Sequence, residues 1–142
     1  MTDTTGELRM RLSPGAAVGV TEAMIDAQVR AFYGKIQNDP MLGPIFSRVV
    51  EDWEVHLLRM VDFWSSVLLT TGRYKGRPVP KHMPLNLEPA HFERWLRIFG
   101  ETAHEICPPA AAALFMQKAK LIAESLQISA GLARGELIPR VL

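Results

Sequence analysis

Apolar residues recur at helical spacing along four long stretches of this chain. The first begins after Thr21, a residue suited to capping a helix, and continues to about Gln37. The others run over about 51–69, 89–106 and 110–133. No segment alternates convincingly between apolar and polar residues with the period of two that a strand requires. The pattern therefore predicts an all-α fold.

The second stretch carries the best-defined apolar face. Its members recur in the pattern i, i+3, i+4, i+7 that places residues on one side of a helix. They are Trp53, His56, Leu57, Met60, Phe63, Trp64, Val67 and Leu68. His56 is the polar exception. A lone histidine on such a face is usually a core residue with satisfied hydrogen bonds, and its burial requires those bonds in any case.

Prolines and glycines mark the breaks between the helical stretches. Residues 38–46 read NDPMLGPIF, which predicts tight turns that direct Phe46 inward. Residues 1–20 show no clear period, and we expect a mobile extension there with at most a short helical piece, followed by a single domain over 21–142.

A second break runs from Tyr74 to Leu85 and reads YKGRPVPKHMPL. Its prolines exclude a long regular helix and stiffen the backbone. His82 lies at its centre. Taken alone, this is an ordinary surface loop with a solvated histidine, but a stiff loop between two helices can also hold one imidazole in a fixed direction.

Composition and net charge limit the kinds of molecule that the protein is expected to bind. The 142 residues carry a net charge of +1, and 48% are hydrophobic, as is usual for a globular domain. The near-neutral charge argues against nucleic acid or a membrane surface as the main partner. The single cysteine, Cys107, excludes an internal disulfide, and we expect it to be a free buried thiol. No apolar run would span a membrane or serve as a secretory signal, so we expect a cytoplasmic protein.

Four polar side chains lie on different segments, each beside apolar residues, and could belong to one site. They are Tyr33, His56, His82 and Trp95. A buried tyrosine hydroxyl or indole N–H needs a hydrogen-bond partner. A flat apolar cofactor with a central metal explains all four, because one histidine would bind the metal while the other polar groups surround a bound gas. Haem meets this description.

Two alternatives remain open from the residues alone. A cofactor-free helical binding or regulatory module would explain the amphipathic faces. A non-haem metal site could use His56 and His82, although such sites in helical proteins usually include carboxylates, and the apolar stripes offer no inward Asp or Glu.

Four sequence pieces together carry a more specific signal: FYGKIQNDPMLGPIF (32–46), DWEVHLLRMVDFWSSVLL (52–69), the proline-rich loop (74–85) and HFERWLRIF (91–99). With them the chain resembles the group III truncated haemoglobins over about residues 21–126. The lack of any Gly-Gly pair also suits this group, whereas the extension before Thr21 departs from it. The resemblance implies a two-over-two helical sandwich around haem b.

The resemblance also implies residue roles. His82 would be the proximal iron ligand, and Tyr33, His56 and Trp95 would form the distal pocket with Met60 facing the haem. The remaining haem contacts implied are apolar packing by Phe46, Phe63 and Phe99, and pairing of the propionates with Arg77, Lys81 or Lys75.

These roles imply a reactive globin rather than an oxygen carrier. Buried hydrogen bonds to a charged or partly charged group contribute roughly 1.5–3 kcal/mol each, so two donors would slow O2 release by about 10²–10⁴-fold. That suits reaction of held O2 with nitric oxide, or polarisation of a peroxide, with a reductase as a further partner. Other small diatomic ligands are expected to bind as well.

Overall fold

The described part of the chain is entirely helical and irregular, without strands. The computed structural model describes residues 4–76 and 87–133. These contain seven α-helices: α1 Thr4–Arg11, α2 Pro14–Ala17, α3 Glu22–Gln37, α4 Gly43–Val49, α5 Trp53–Leu69, α6 Pro89–Ile106 and α7 Pro109–Ala133. The prediction of an all-α fold is confirmed.

Four of these helices form the body of the molecule. The most extensive contacts are between α6 and α7, between α3 and α5, and between α3 and α6. Two helix pairs, α3 with α5 and α6 with α7, are thus joined through the contact between α3 and α6. None of the helices in the described ranges is long and apolar enough to cross a membrane.

Local sequence explains where the main helices begin. The Thr21 Oγ1 accepts a hydrogen bond from the Met24 N–H at 3.1 Å and caps α3. In the same way, the Asp52 Oδ1 accepts from the Val55 N–H at 3.2 Å, so α5 begins at Trp53, two residues later than predicted. Pro89 lies in the first turn of α6, where its missing N–H costs nothing.

The segment predicted as tight turns up to Phe46 is partly helical. Asp39 accepts from the N–H groups of Met41 and Leu42, at 3.0 and 2.9 Å, and shapes the turn. The chain then enters α4 at Gly43, so the turn prediction was wrong beyond Leu42. Pro44 suits the first turn of a helix, but a helix of seven residues is too short to show a period in the sequence.

The segment before Thr21, for which we expected mobility, contains two short helices. The Ser13 Oγ accepts from the Ala16 N–H at 3.2 Å and caps α2, which has Gly15 buried against α5. A Cβ at Gly15 would lie 2.6 Å from the Leu68 carbonyl oxygen, so the two backbones approach closely. Val20 joins the core. Residues 13–20 therefore pack against the body, and a one-turn helix leaves no periodic signal to predict this.

The core contains a layer of aromatic rings between the helix pairs. Trp64 and Trp95 both stack on Phe99, at 4.9 and 5.3 Å between ring centroids. Below this layer the fully buried Gln28 of α3 donates from Nε2 to the Phe99 carbonyl oxygen at 3.1 Å, which links α3 to α6. Cys107 is buried, as predicted.

Candidate functional site

A cavity of about 640 Å³ lies between α4, α5, α6 and α7, and α3 contributes Tyr33 to it. Its volume falls within the range of small-molecule and cofactor sites, about 300–1,000 Å³. Most of its walls are apolar or aromatic. The polar or titratable members of the lining are Tyr33, Glu51, Asp52, His56, Arg59, Tyr74, His91 and Trp95.

Tyr33 projects from the middle of α3 and is 6% exposed. Burial raises the pKa of its phenol, because an anion in this apolar environment would lose its hydration. The hydroxyl therefore stays protonated at physiological pH and retains its ability to donate a hydrogen bond.

His56 lies across from Tyr33, one turn into α5. The two ring centroids are 4.8 Å apart and the rings are nearly perpendicular, at 88°. Phe46 and Trp53 pack against the same pair, with Phe46 5.8 Å and Trp53 6.1 Å from the Tyr33 ring. Met60, one turn after His56, also lines the cavity. Tyr33, His56 and Met60, predicted for one pocket, thus line one cavity.

Trp95 reaches the cavity from α6. Its indole stacks on Phe99 with an angle of 10° between the rings, and Phe32 contacts it edge-on at 5.6 Å. Phe99 itself is 1% exposed and does not line the cavity. Phe99 lies one layer deeper than Trp95 and supports it, and direct contact between Phe99 and haem stays a prediction. The helical face alone could not separate two residues four positions apart.

The remaining predicted site residues fall into two groups. Phe46 and Phe63 line the cavity, and Phe63 contacts Tyr74 at 5.1 Å. Lys75 is exposed and does not line it. The predicted proximal ligand, His82, lies outside the described residues, as do the other two predicted propionate partners, Arg77 and Lys81.

Five polar lining residues were not predicted as site residues: Glu51, Asp52, Arg59, Tyr74 and His91. His91 is partly buried, and its Nδ1 accepts a hydrogen bond from the Glu88 N–H at 2.9 Å. A Glu three residues before a His at the start of a helix is a variant of the capping box and could have signalled this bond. Tyr74 and Arg59 had no such local signal, because their access to the cavity depends on how α5 packs.

A partly buried ion pair joins α6 to the turn before α4. Arg94, next to Trp95 in sequence, bonds Asp39 through Nε at 2.8 Å and Nη2 at 2.6 Å. The Arg94 guanidinium holds the pKa of the Asp39 carboxyl below its usual value, and the N–H groups of Leu42 and Met41 act in the same direction. This pair connects the elements that carry Trp95 and Phe46.

The fold and the cavity define a small helical protein with a cofactor-sized, aromatic-lined site. Comparison with known proteins identifies its class: residues 16–123 match the family of bacterial-like globins. The chain is 32% identical over 113 residues to the Group 3 truncated hemoglobin ctb of Campylobacter jejuni, covering 76% of this chain and 89% of that protein.

Solved structures agree with the sequence comparison. The crystal structure of the group III truncated hemoglobin from Campylobacter jejuni superimposes with a TM-score of 0.72 at 32% identity, over 76% of this chain and 89% of that one. The group II truncated hemoglobin from Bacillus anthracis gives a TM-score of 0.66 at 22% identity, over 81% and 90%, and shows the shared fold alone. The chain belongs to the truncated haemoglobins, in group III of the bacterial-like globins.

Membership of the globin family implies haem binding, and the cavity residues fit that group. Apolar and aromatic side chains suit the porphyrin faces, and Arg59 adds a positive charge to the same lining, which suits a group that carries carboxylates. Tyr33, His56 and Trp95 come from three helices and reach the same cavity, as expected for polar groups around a small bound ligand. Globins bind small diatomic ligands such as O2.

Proposed function

We propose that this truncated haemoglobin binds haem b in the cavity and uses Tyr33, His56 and Trp95 to hold O2 for reactive chemistry rather than bulk transport. Haem supplies the iron that binds diatomic ligands when the group is present. The observation that carries the proposal is the convergence of these three polar side chains on one otherwise apolar cavity.

The chain's contribution is donation of hydrogen bonds to the ligand. The Tyr33 hydroxyl stays protonated because of its burial, and the Trp95 indole N–H is a donor at every pH. Each bond to a partly charged ligand contributes roughly 1.5–3 kcal/mol, which slows release rather than favouring delivery. Long retention suits reaction with nitric oxide or handling of peroxide. Redox turnover consumes electrons, so the proposal includes a reductase partner.

We expect the Tyr33→Phe, Trp95→Phe double variant to release O2 about 10²–10⁴ times faster than the wild type, because both donors are lost. Phenylalanine retains an aromatic ring at each position, so the Phe32 and Phe99 contacts can persist in part. The measurement is stopped-flow O2 dissociation from the reduced haem protein.

Tyr74→Phe is the matched control for loss of a hydroxyl from this cavity. Tyr74 packs against Phe63, which lies two turns of α5 beyond His56. The Tyr74→Phe variant should therefore release O2 at close to the wild-type rate. An unchanged rate in the double variant would contradict the proposed role of Tyr33 and Trp95.

Absorption spectra test the cofactor itself. The ferric, dithionite-reduced and CO-treated protein should show an intense Soret band that shifts on CO binding. A protein that stays colourless after haem reconstitution would instead favour a cofactor-free helical module.

The proposal assigns the proximal position to His82 through its match to the family motif. His82→Gly should change the spectra, and added imidazole should restore them. Identical spectra for His82→Gly and the wild type would exclude His82 as the ligand.

A further inference from the structure

Tyr33 and Trp53 are oxidisable rings in direct contact, one inside the cavity and one outside it. Their centroids are 6.1 Å apart with 53° between the ring planes, within the range of interacting aromatic pairs. Tyr33 lines the cavity, whereas Trp53 does not and is only partly buried, in the first turn of α5. The pair therefore connects the cavity with the surface.

The other tryptophans lack such a partner among the described residues. Trp64 and Trp95 both stack on Phe99, which separates them, and the remaining neighbours of Trp64 are Phe63 and Phe115. Phenylalanine is far harder to oxidise than tyrosine or tryptophan and interrupts a path of single-electron steps. Of the ring contacts within the described ranges, the Tyr33–Trp53 contact alone joins two readily oxidised rings.

We propose that Tyr33 and Trp53 form an electron relay through which a one-electron donor at the surface reduces a hydroperoxide held in the cavity. This inference rests on the proposed function, because haem must be present to activate the peroxide. It adds a surface substrate site, at Trp53, to the site for diatomic ligands.

The overall reaction balances with two donor molecules. The O–O bond of the hydroperoxide breaks, and two electrons and two protons convert it to an alcohol and water, or to two waters for hydrogen peroxide. Each donor loses one electron. The relay acts twice for each peroxide, and the two protons consumed come from solvent. In each pass Tyr33 gives one electron to the peroxide reduction in the cavity and its phenolic proton to a neighbouring base, and so becomes a tyrosyl radical. Trp53 then reduces this radical, the proton returns, and the surface donor reduces the oxidised Trp53.

The phenolic proton needs a nearby acceptor, since a buried tyrosine is not oxidised easily while it keeps its proton. The His56 imidazole lies 4.8 Å from the Tyr33 ring, measured between centroids. His56 is the titratable ring in contact with Tyr33, so the proposal assigns it this proton, which returns to Tyr33 when Trp53 reduces the tyrosyl radical. The relay is therefore a pair of rings with a base beside the inner one.

The surface around Trp53 suits a cationic donor. Glu51, Asp52 and Glu54 flank it in sequence and are exposed, and only Glu54 is bonded to Arg30, at 2.9 Å. Opposite charge raises the rate of encounter between proteins and makes it sensitive to salt. A positively charged one-electron donor too large to enter the cavity should react at this surface.

The test compares substitutions at Trp53 in the haem-loaded protein, with hydrogen peroxide as oxidant and reduced cytochrome c as the large cationic donor. Trp53→Phe should oxidise cytochrome c at least about tenfold more slowly, whereas Trp53→Tyr, which keeps an oxidisable ring, should retain most of the rate. Both variants should oxidise a small phenol at the wild-type rate, because it can reach the cavity directly.

A second readout locates the radical. With a spin trap in place of the donor, peptide mass spectrometry should find the adduct on Trp53, and Tyr33→Phe should reduce it about tenfold per peroxide consumed. Two results would overturn the relay and leave the proposed function standing. One is an equal rate of cytochrome c oxidation in Trp53→Phe and wild type, and the other is a Trp53 adduct that Tyr33→Phe does not reduce. A missing Soret band, or no consumption of peroxide, would remove the proposed function and the relay together.

Discussion

At the scale of single residues, the environment of each polar side chain decides what it can do. Tyr33 and Tyr74 both line the cavity, and burial raises the pKa of each phenol. Arg59 acts in the opposite direction on Tyr74, since a positive charge favours the phenolate. Tyr33 is the more deeply buried, so its hydroxyl is the more dependable hydrogen-bond donor.

We expect the two tyrosines, the only ones in the chain, to ionise above the ordinary tyrosine pKa of about 10 in the native protein. Ultraviolet titration should show phenolate forming at higher pH than in the unfolded protein, and Tyr33→Phe should remove the later phase. Because the unfolded state loses these protons first, stability is kept below pH of about 10 and falls as the pH rises further. Two phenols that titrate at the ordinary value would contradict this burial.

At the scale of helices, close backbone approach and ion pairs set the geometry of the cavity. Gly15 lets α2 lie directly on α5, where a side chain would meet the Leu68 carbonyl. Gly34, in contrast, is exposed in α3, and a Cβ there would have no neighbour within 4 Å. Gly15 is therefore required by close packing and Gly34 is not, a difference that the sequence alone does not show.

Gly15→Ala should destabilise the protein by about 1–3 kcal/mol, since overpacking forces the two backbones apart. Gly34→Ala should stabilise it by up to about 1 kcal/mol, because alanine favours the helix over glycine. Urea unfolding of both variants provides the comparison. A neutral Gly15→Ala would show that α2 can move away from α5 at little cost.

The Asp39–Arg94 pair should make stability depend on pH in the acid range. Because the pKa of Asp39 is lowered in the folded protein, its contribution is present above the ordinary aspartate pKa of about 3.9 and is lost as the pH falls through the folded value. Asp39→Asn should lower the midpoint of thermal unfolding by a few degrees at neutral pH, and the difference should disappear in acid.

Glu101→Gln is the control for the Asp39 prediction. Glu101 pairs with Arg97 at 3.8 Å on the exposed side of the same helix, where solvent screens the charges. Its thermal midpoint should stay near that of the wild type at every pH. An Asp39→Asn variant that behaves like this control would contradict the role assigned to the pair.

At the scale of the whole molecule, the cavity is a gap in the core that the cofactor is expected to fill. Five helices contribute to its walls, and aromatic side chains from four of them line the space while they pack against one another. A ligand that binds only the folded protein stabilises it in proportion to the logarithm of its concentration over Kd. Folding and haem binding should therefore be coupled.

Haem removal should lower the midpoint of thermal unfolding. At a free haem concentration of about 100 times Kd, binding contributes about 2.7 kcal/mol to stability. Calorimetry of the haem-free and haem-loaded protein measures the difference, and Trp95→Ala should reduce it by weakening the wall of the cavity. Equal midpoints would mean that haem does not bind preferentially to the folded state.

The sequence by itself determined the long helices and the chemistry available to the site. Period and capping are local properties, so α3, α5 and α6 could be predicted nearly to their ends, and Tyr33, His56 and Trp95 could be proposed as one pocket. The family resemblance rested on the same stretches, and the comparisons confirmed it.

Only the tertiary structure decided which side chains reach the cavity. Phe99 and Trp95 share a helical face, yet the packing of α3 and α5 leaves Phe99 in the core and Trp95 at the wall. The short helices α2 and α4 also depend on contacts with α5 and α3, because one or two turns are too few to be stable or periodic alone. Contacts between residues far apart in the chain have no local pattern, and they determine both the cavity and the Tyr33–Trp53 pair.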